Sequence, residues 1–117
     1  MTALLVGAAG MAGVLSRYGI STMFHGDSLP WATVGINVLG SLLLGMLVAG
    51  GSFDTDTRTI LGVGFLGGFT TFSTFTVQIV LDFDAGEPGR AFLYLAASLV
   101  LGLMAAAAGY FVGREFL

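Results

Sequence analysis

The stretch "GFLGGFTTFSTFTVQ", Gly64 to Gln78, decides the fold. It lies inside a long apolar segment, yet it carries adjacent glycines at Gly67 and Gly68 and hydroxyls at Thr70, Thr71, Ser73, Thr74 and Thr76. On one regular helix those hydroxyls point to all sides, so no single interface hides them. The simplest resolution is a helix interrupted near Gly67 and Gly68. Non-helical backbone at membrane depth survives only where it is buried in protein or lines a watery cavity, and its freed carbonyls are natural ligands for a hard cation. The phenylalanines Phe65, Phe69 and Phe72 have helical spacing, which by itself reads as a packing or lipid-facing stripe.

The rest of the chain places this stretch in a membrane. Of 117 residues, 56% are hydrophobic and 9% charged, against roughly a quarter charged in soluble domains, and the mean hydropathy is +0.94. The apolar residues gather into four segments long enough to cross a bilayer core, which takes about 20 residues each. They predict an all-α integral membrane protein, one domain over residues 1–117, with spans at about residues 3–24, 31–50, 57–81 and 90–113. No Lys or Arg precedes the first apolar run, so it lacks the charged start of a cleavable signal peptide and is expected to stay as a helix. In it, "GAAGMAG" offers small residues for close helix packing, as do Ala105, Gly109 and Gly113 in the fourth span.

Several functions are excluded. There is no cysteine and the lone His25 sits in the polar connector "HGDSLPW", so thiol chemistry and a histidine metal site are out. A net charge of −3 with no lysine offers nucleic acid no basic face. No nucleophile, acid and base converge, so an enzyme is not expected. No Asp, Glu, Lys or His lies in the middle of a span, whereas a proton-coupled exporter needs an ionisable core residue. A passive anion pathway does not, because hydroxyls, an asparagine amide and phenyl ring edges bind an anion loosely enough to release it. Asn37 is the costliest of these groups to bury and leans towards function. It shares a helix face with Thr33 and Ser41, which read as interhelical glue; Tyr94 and Ser98 share a face of the fourth span.

Four spans put Arg58 and Arg114 on one side and Arg17 and Arg90 on the other. This tally of two against two predicts insertion both ways round, and pairing of opposed copies as an inverted repeat made from separate chains. The alternative is that one arginine, Arg17 foremost, is buried and does not count.

In sequence, "GFLGGFTTFSTFT", "TVGINVLG" and "AGVLSRY" resemble the Fluc (CrcB) fluoride channel family over essentially the whole chain. The resemblance implies an antiparallel dual-topology homodimer in the plasma membrane that lets toxic cytoplasmic fluoride leak out. It implies that the ring edges of Phe72 and Phe75 contact fluoride, that Asn37 is a donor in the pore, and that Thr74, Thr76, Tyr94 and Ser98 form a polar track. It further implies that Arg17 stands at an aqueous vestibule and that the Gly67 and Thr70 carbonyls of both subunits hold a structural, non-transported Na⁺. Three positions depart from the family pattern: Gln78 stands where many members have glutamate, and Gly102 and Ala106 replace further hydroxyls in the fourth span. The rival readings are a small four-helix multidrug exporter and a non-conducting membrane scaffold.

Overall fold

Long apolar runs in lipid have one way to satisfy their backbone, which is helix. A computed structural model of residues 1–117 is accordingly helical, without strands. Helix α1 covers Thr2–Ser21. A short 3₁₀ turn at Gly26–Ser28 leads into α2, Leu29–Ala49, which opens with Pro30 in its first turn, where the missing N–H has no intrahelical partner to lose. The third span, Thr55–Asp84, is composite. It begins as α3 (Thr55–Arg58), continues as a π-helical segment at Thr59–Leu66, returns to α4 (Gly67–Phe69), breaks, and resumes as α5 (Ser73–Asp84). Helix α6, Pro88–Phe116, closes the chain.

Four segments are long and apolar enough to cross a membrane, and the chain is a multi-pass membrane protein. Its long dimension of 48 Å matches a bilayer with its headgroups, about 40–45 Å. Only 17 of 117 residues are buried, so most of the leucine, valine and phenylalanine side chains face outward, where lipid or another protein must cover them.

Glycines set which helices meet. A Cβ on Gly13 would run into the Phe65 carbonyl oxygen, and one on Gly68 into the Gly10 carbonyl oxygen; α1 therefore lies backbone to backbone against the π segment and α4. On the other side, Cβ atoms at Gly109 and Gly113 would strike the carbonyl oxygens of Leu42 and Met46, which locks α2 onto α6. Both pairs run parallel. Helices α1 and α2 barely touch, and an apolar cleft of about 230 Å³ separates them.

The break comes later than expected. Gly67 is ordinary helix (φ −61°, ψ −38°), whereas Thr70 is extended (φ −93°, ψ 159°). The glycine pair thus does not interrupt the helix: Gly68 supplies the close approach to α1, and the interruption falls at Thr70–Phe72. The helix limits lie one to three residues from the span limits expected from the sequence.

The connectors tie the two ends together. Arg58 Nη2 donates to the Gly50 carbonyl at 2.6 Å and Ser52 Oγ to the Leu117 carbonyl at 2.7 Å, so the 2–3 connector and the C-terminus share one side. Arg90 pairs with Asp27 at 3.0 Å on the other, an exposed bridge of little energetic weight.

Candidate functional site

Breaking a helix in a membrane strands backbone groups, each costing several kcal/mol unless it finds a partner. Two side chains from neighbouring helices take up part of that load. From α2, the Asn37 amide grips Thr71 at both ends: Nδ2 donates to the Thr71 carbonyl and the Thr71 N–H donates to Oδ1, each at 2.9 Å. From α1, Arg17 Nε donates to the Gly68 carbonyl at 3.2 Å. The carbonyls of Gly67 and Thr70 accept no hydrogen bond: the Thr71 N–H that a continuous helix would aim at Gly67 goes to Asn37 instead. The C-terminal end of one helix, with exposed carbonyl charge, and the N-terminal end of α5, with partial positive charge, thereby meet at mid-membrane.

A groove of about 330 Å³ opens beside this break. Its wall includes Asn37, Thr70, Thr71, Phe72, Phe75 and Ser98 together with Gly40, Gly67 and Gly102, and no Asp, Glu, Lys, Arg or His. Phe72 is 76% exposed while Phe75 is 6% exposed, their ring centroids 5.9 Å apart. Behind Phe75 stands Tyr94, 1% exposed, with its ring 5.3 Å from that of Phe75 and 6.1 Å from Trp31. Val34, Phe75 and Tyr94 form a small core here.

Six of the sequence-predicted positions converge on the groove: Asn37, Gly67, Thr70, Phe72, Phe75 and Ser98. Tyr94 sits one layer behind. Thr74 and Thr76 are not part of its wall: Thr74 is exposed and accepts from the Thr71 hydroxyl at 3.1 Å, and the Thr76 hydroxyl turns back to the Ser73 carbonyl at 3.0 Å. Arg17 is half-buried against Gly68 on the α1 side, a backbone clasp inside the fold. Counting only arginines at connectors, the orientation tally becomes two, Arg58 and Arg114, against one, Arg90. Phe65 and Phe69 stack at 5.8 Å, the packing role their spacing gave them. Ser41 is not interhelical glue, since its hydroxyl donates to the Asn37 carbonyl within α2 at 2.8 Å.

Thr71 is the residue sequence reasoning missed. Both backbone groups bind Asn37, and its hydroxyl accepts from the Thr74 N–H at 3.3 Å to cap the start of α5. Nothing in the sequence separates it from the four other hydroxyls nearby.

The model of the family described as CrcB-like protein, Camphor Resistance (CrcB), matches residues 4–110. The chain belongs to the CrcB family. A Thermus thermophilus protein named fluoride-specific ion channel FluC is 41% identical, covering 94% of this chain and 93% of that one. A protein of the same name from Sphingopyxis alaskensis is 39% identical over 96% and 93%, and FluC 2 of Bacillus cereus is 39% identical over 97% and 98%. The chain is thus a member of an ion-channel family and not an enzyme, and in a bacterium its place is the plasma membrane.

Proposed function

We propose that this CrcB-family chain is a fluoride channel that lets cytoplasmic fluoride leave the cell passively and so limits its toxicity. The observation that carries this reading is the groove at the break, which offers amide, hydroxyl and ring-edge groups and no fixed charge. Fluoride is a small, strong hydrogen-bond acceptor; neutral donors and the positive edges of Phe72 and Phe75 replace part of its water without trapping it. Asn37 contributes twice, since one Nδ2 hydrogen holds Thr71 and the other is free to face the groove. Tyr94 and Ser98 continue the donors along α6, and Thr74 and Thr76 lie near the start of α5.

The working unit in this reading is an antiparallel dual-topology homodimer. The outward face of Gly67 supports it, since a Cβ there would meet only the Gly62 carbonyl oxygen at 3.6 Å, whereas the arginine tally of two against one leaves only a weak bias of orientation. That face has room for a second backbone. A structural Na⁺ fits the same place: the Gly67 and Thr70 carbonyls accept no bond in the chain, neutral oxygens suit a hard monovalent ion, and two opposed copies would contribute four. The ion would supply fixed positive charge that holds the two breaks together. Arg17, bonded to the Gly68 carbonyl, adds positive charge that draws anions towards the break.

Purified protein in liposomes tests the reading. Fluoride-loaded vesicles should empty through the protein while chloride-loaded ones stay full, and equal efflux of both ions would sink it. Gly67→Val tests the dimer: the side chain fits within one chain, so loss of the dimer on gel filtration would report a second copy, and an unaffected, active dimer would argue against a crossing there.

A further inference from the structure

Three buried side-chain oxygens in the protein have no hydrogen bond of good geometry: Asp82 Oδ2, the Tyr94 hydroxyl, which faces only the Thr33 side chain of α2, and Ser98 Oγ. All three lie on α5 and α6, which pack against each other. Ser98 belongs to the groove wall. Tyr94 is one turn earlier on the same face of α6. Asp82, 4% exposed, sits near the end of the third span, where α5 and α6 run antiparallel and the adjacent Phe83 meets Phe92, two residues before Tyr94, at 5.5 Å between ring centroids. A buried polar atom left unpaired is costly, so a row of them marks a place where water or a passing ion supplies the bonds.

Asp82 is the member of this row that does not suit an anion. Its Oδ1 accepts from Gln78 Nε2 at 2.9 Å and its backbone carbonyl from the Glu87 N–H at 2.8 Å, so the carboxylate is held in place. No arginine neutralises it, because Arg90, at the start of the facing helix, pairs with Asp27. A carboxylate offers an anion no donor; it repels the anion and accepts hydrogen bonds from water.

We propose that Asp82 is a release-setting residue at one mouth of the pathway. Its fixed negative charge beyond Tyr94 shortens the stay of the anion at the last hydroxyl, and its free oxygen holds water that rehydrates the ion as it leaves. The inference rests on the fluoride-channel reading. Conduction requires sites weak enough to let go, and an unbroken row of donors would hold a strong acceptor such as fluoride.

The test is fluoride efflux from liposomes across a series of fluoride concentrations. Asp82→Asn keeps the shape and removes the charge, so the half-saturating concentration should fall about tenfold, the scale of one unit charge acting across several ångströms of protein, and the maximal flux should fall with it. Asp82→Glu keeps the charge and should retain a half-saturation near that of the unaltered protein, which a purely structural role would not require. Gln78→Leu removes the N–H that offsets the charge and should raise the half-saturating concentration. A folded Asp82→Asn protein with unchanged or raised half-saturation overturns the proposal; should that variant not fold, a fall in Gln78→Leu overturns it equally. Absence of fluoride flux in the unaltered protein would instead overturn the channel reading itself.

Discussion

Replacing Asn37 by alanine removes two hydrogen bonds at once, both to the backbone of Thr71 and both 2.9 Å long. The variant strands an N–H and a C=O that the break has already deprived of helical partners. Each stranded group costs about 1–3 kcal/mol, and Thr71 is half-buried beside a groove that water can enter, which favours the lower part of that range. The ordered break should lose about 2–4 kcal/mol, a shift of roughly 30- to 900-fold in its population. If the break forms the wall of the pathway, fluoride flux from liposomes should drop at least tenfold, and the Thr71 amide should exchange with solvent much faster. Asn37→Asp makes a sharper comparison. It keeps an acceptor for the Thr71 N–H but turns a negative oxygen towards the Thr71 carbonyl, so flux should fall at least as far as in the alanine variant. Normal flux together with an unchanged Thr71 exchange rate in Asn37→Ala would refute the reasoning.

Phe75→Ile should cut fluoride flux at least tenfold, and Phe72→Ile severalfold, while Phe65→Ile leaves flux within twofold, because only the first two rings line the groove; equal tolerance at all three positions, measured by efflux, would return the rings to packing. Gly109→Val pushes side-chain atoms into the Leu42 carbonyl oxygen and should prevent α2 and α6 from packing, seen as aggregation on gel filtration, whereas Gly35→Ala meets nothing within 4 Å and should behave normally. Long dialysis into sodium-free, potassium-rich buffer should inactivate the channel and sodium should restore it; full activity after verified sodium removal would refute the carbonyl cage. Asp54 caps α3: the Thr57 hydroxyl and the Thr57 N–H, which donates to its carboxylate at 2.7 Å, together hold its carboxyl below the ordinary value of 3.8. A lowered folded value stabilises the cap above the ordinary carboxylate range and loses that contribution as pH falls through the lowered value, so Thr57 amide protection should decline in strong acid, but not in Asp54→Asn.

Hydropathy made the four spans legible, because a membrane leaves an apolar run of this length no other way to satisfy its backbone. Their limits came within a few residues. The irregular third span was legible as well, from hydroxyls that no single helix face can hide. Its position was not. Glycine is the usual breaker, and the sequence points to Gly67 and Gly68, yet both remain helical in the folded chain. The π-helical turn at Thr59–Leu66 leaves no mark in composition at all.

What the sequence determined by itself was local and compositional: helix, membrane, a polar interruption and the absence of ionisable groups at mid-span. These follow from each segment's own contact with lipid. Only the tertiary structure decided where the chain breaks and which hydroxyls share a space, since both depend on a partner far away in sequence. Asn37 lies on α2 and Thr71 on the third span, and the helix opens where that amide can replace the lost backbone bond. Gly68 is needed for the backbone of α1 instead. A break costs least where another helix brings a substitute for the lost hydrogen bonds, and no reading of one segment alone can locate that place.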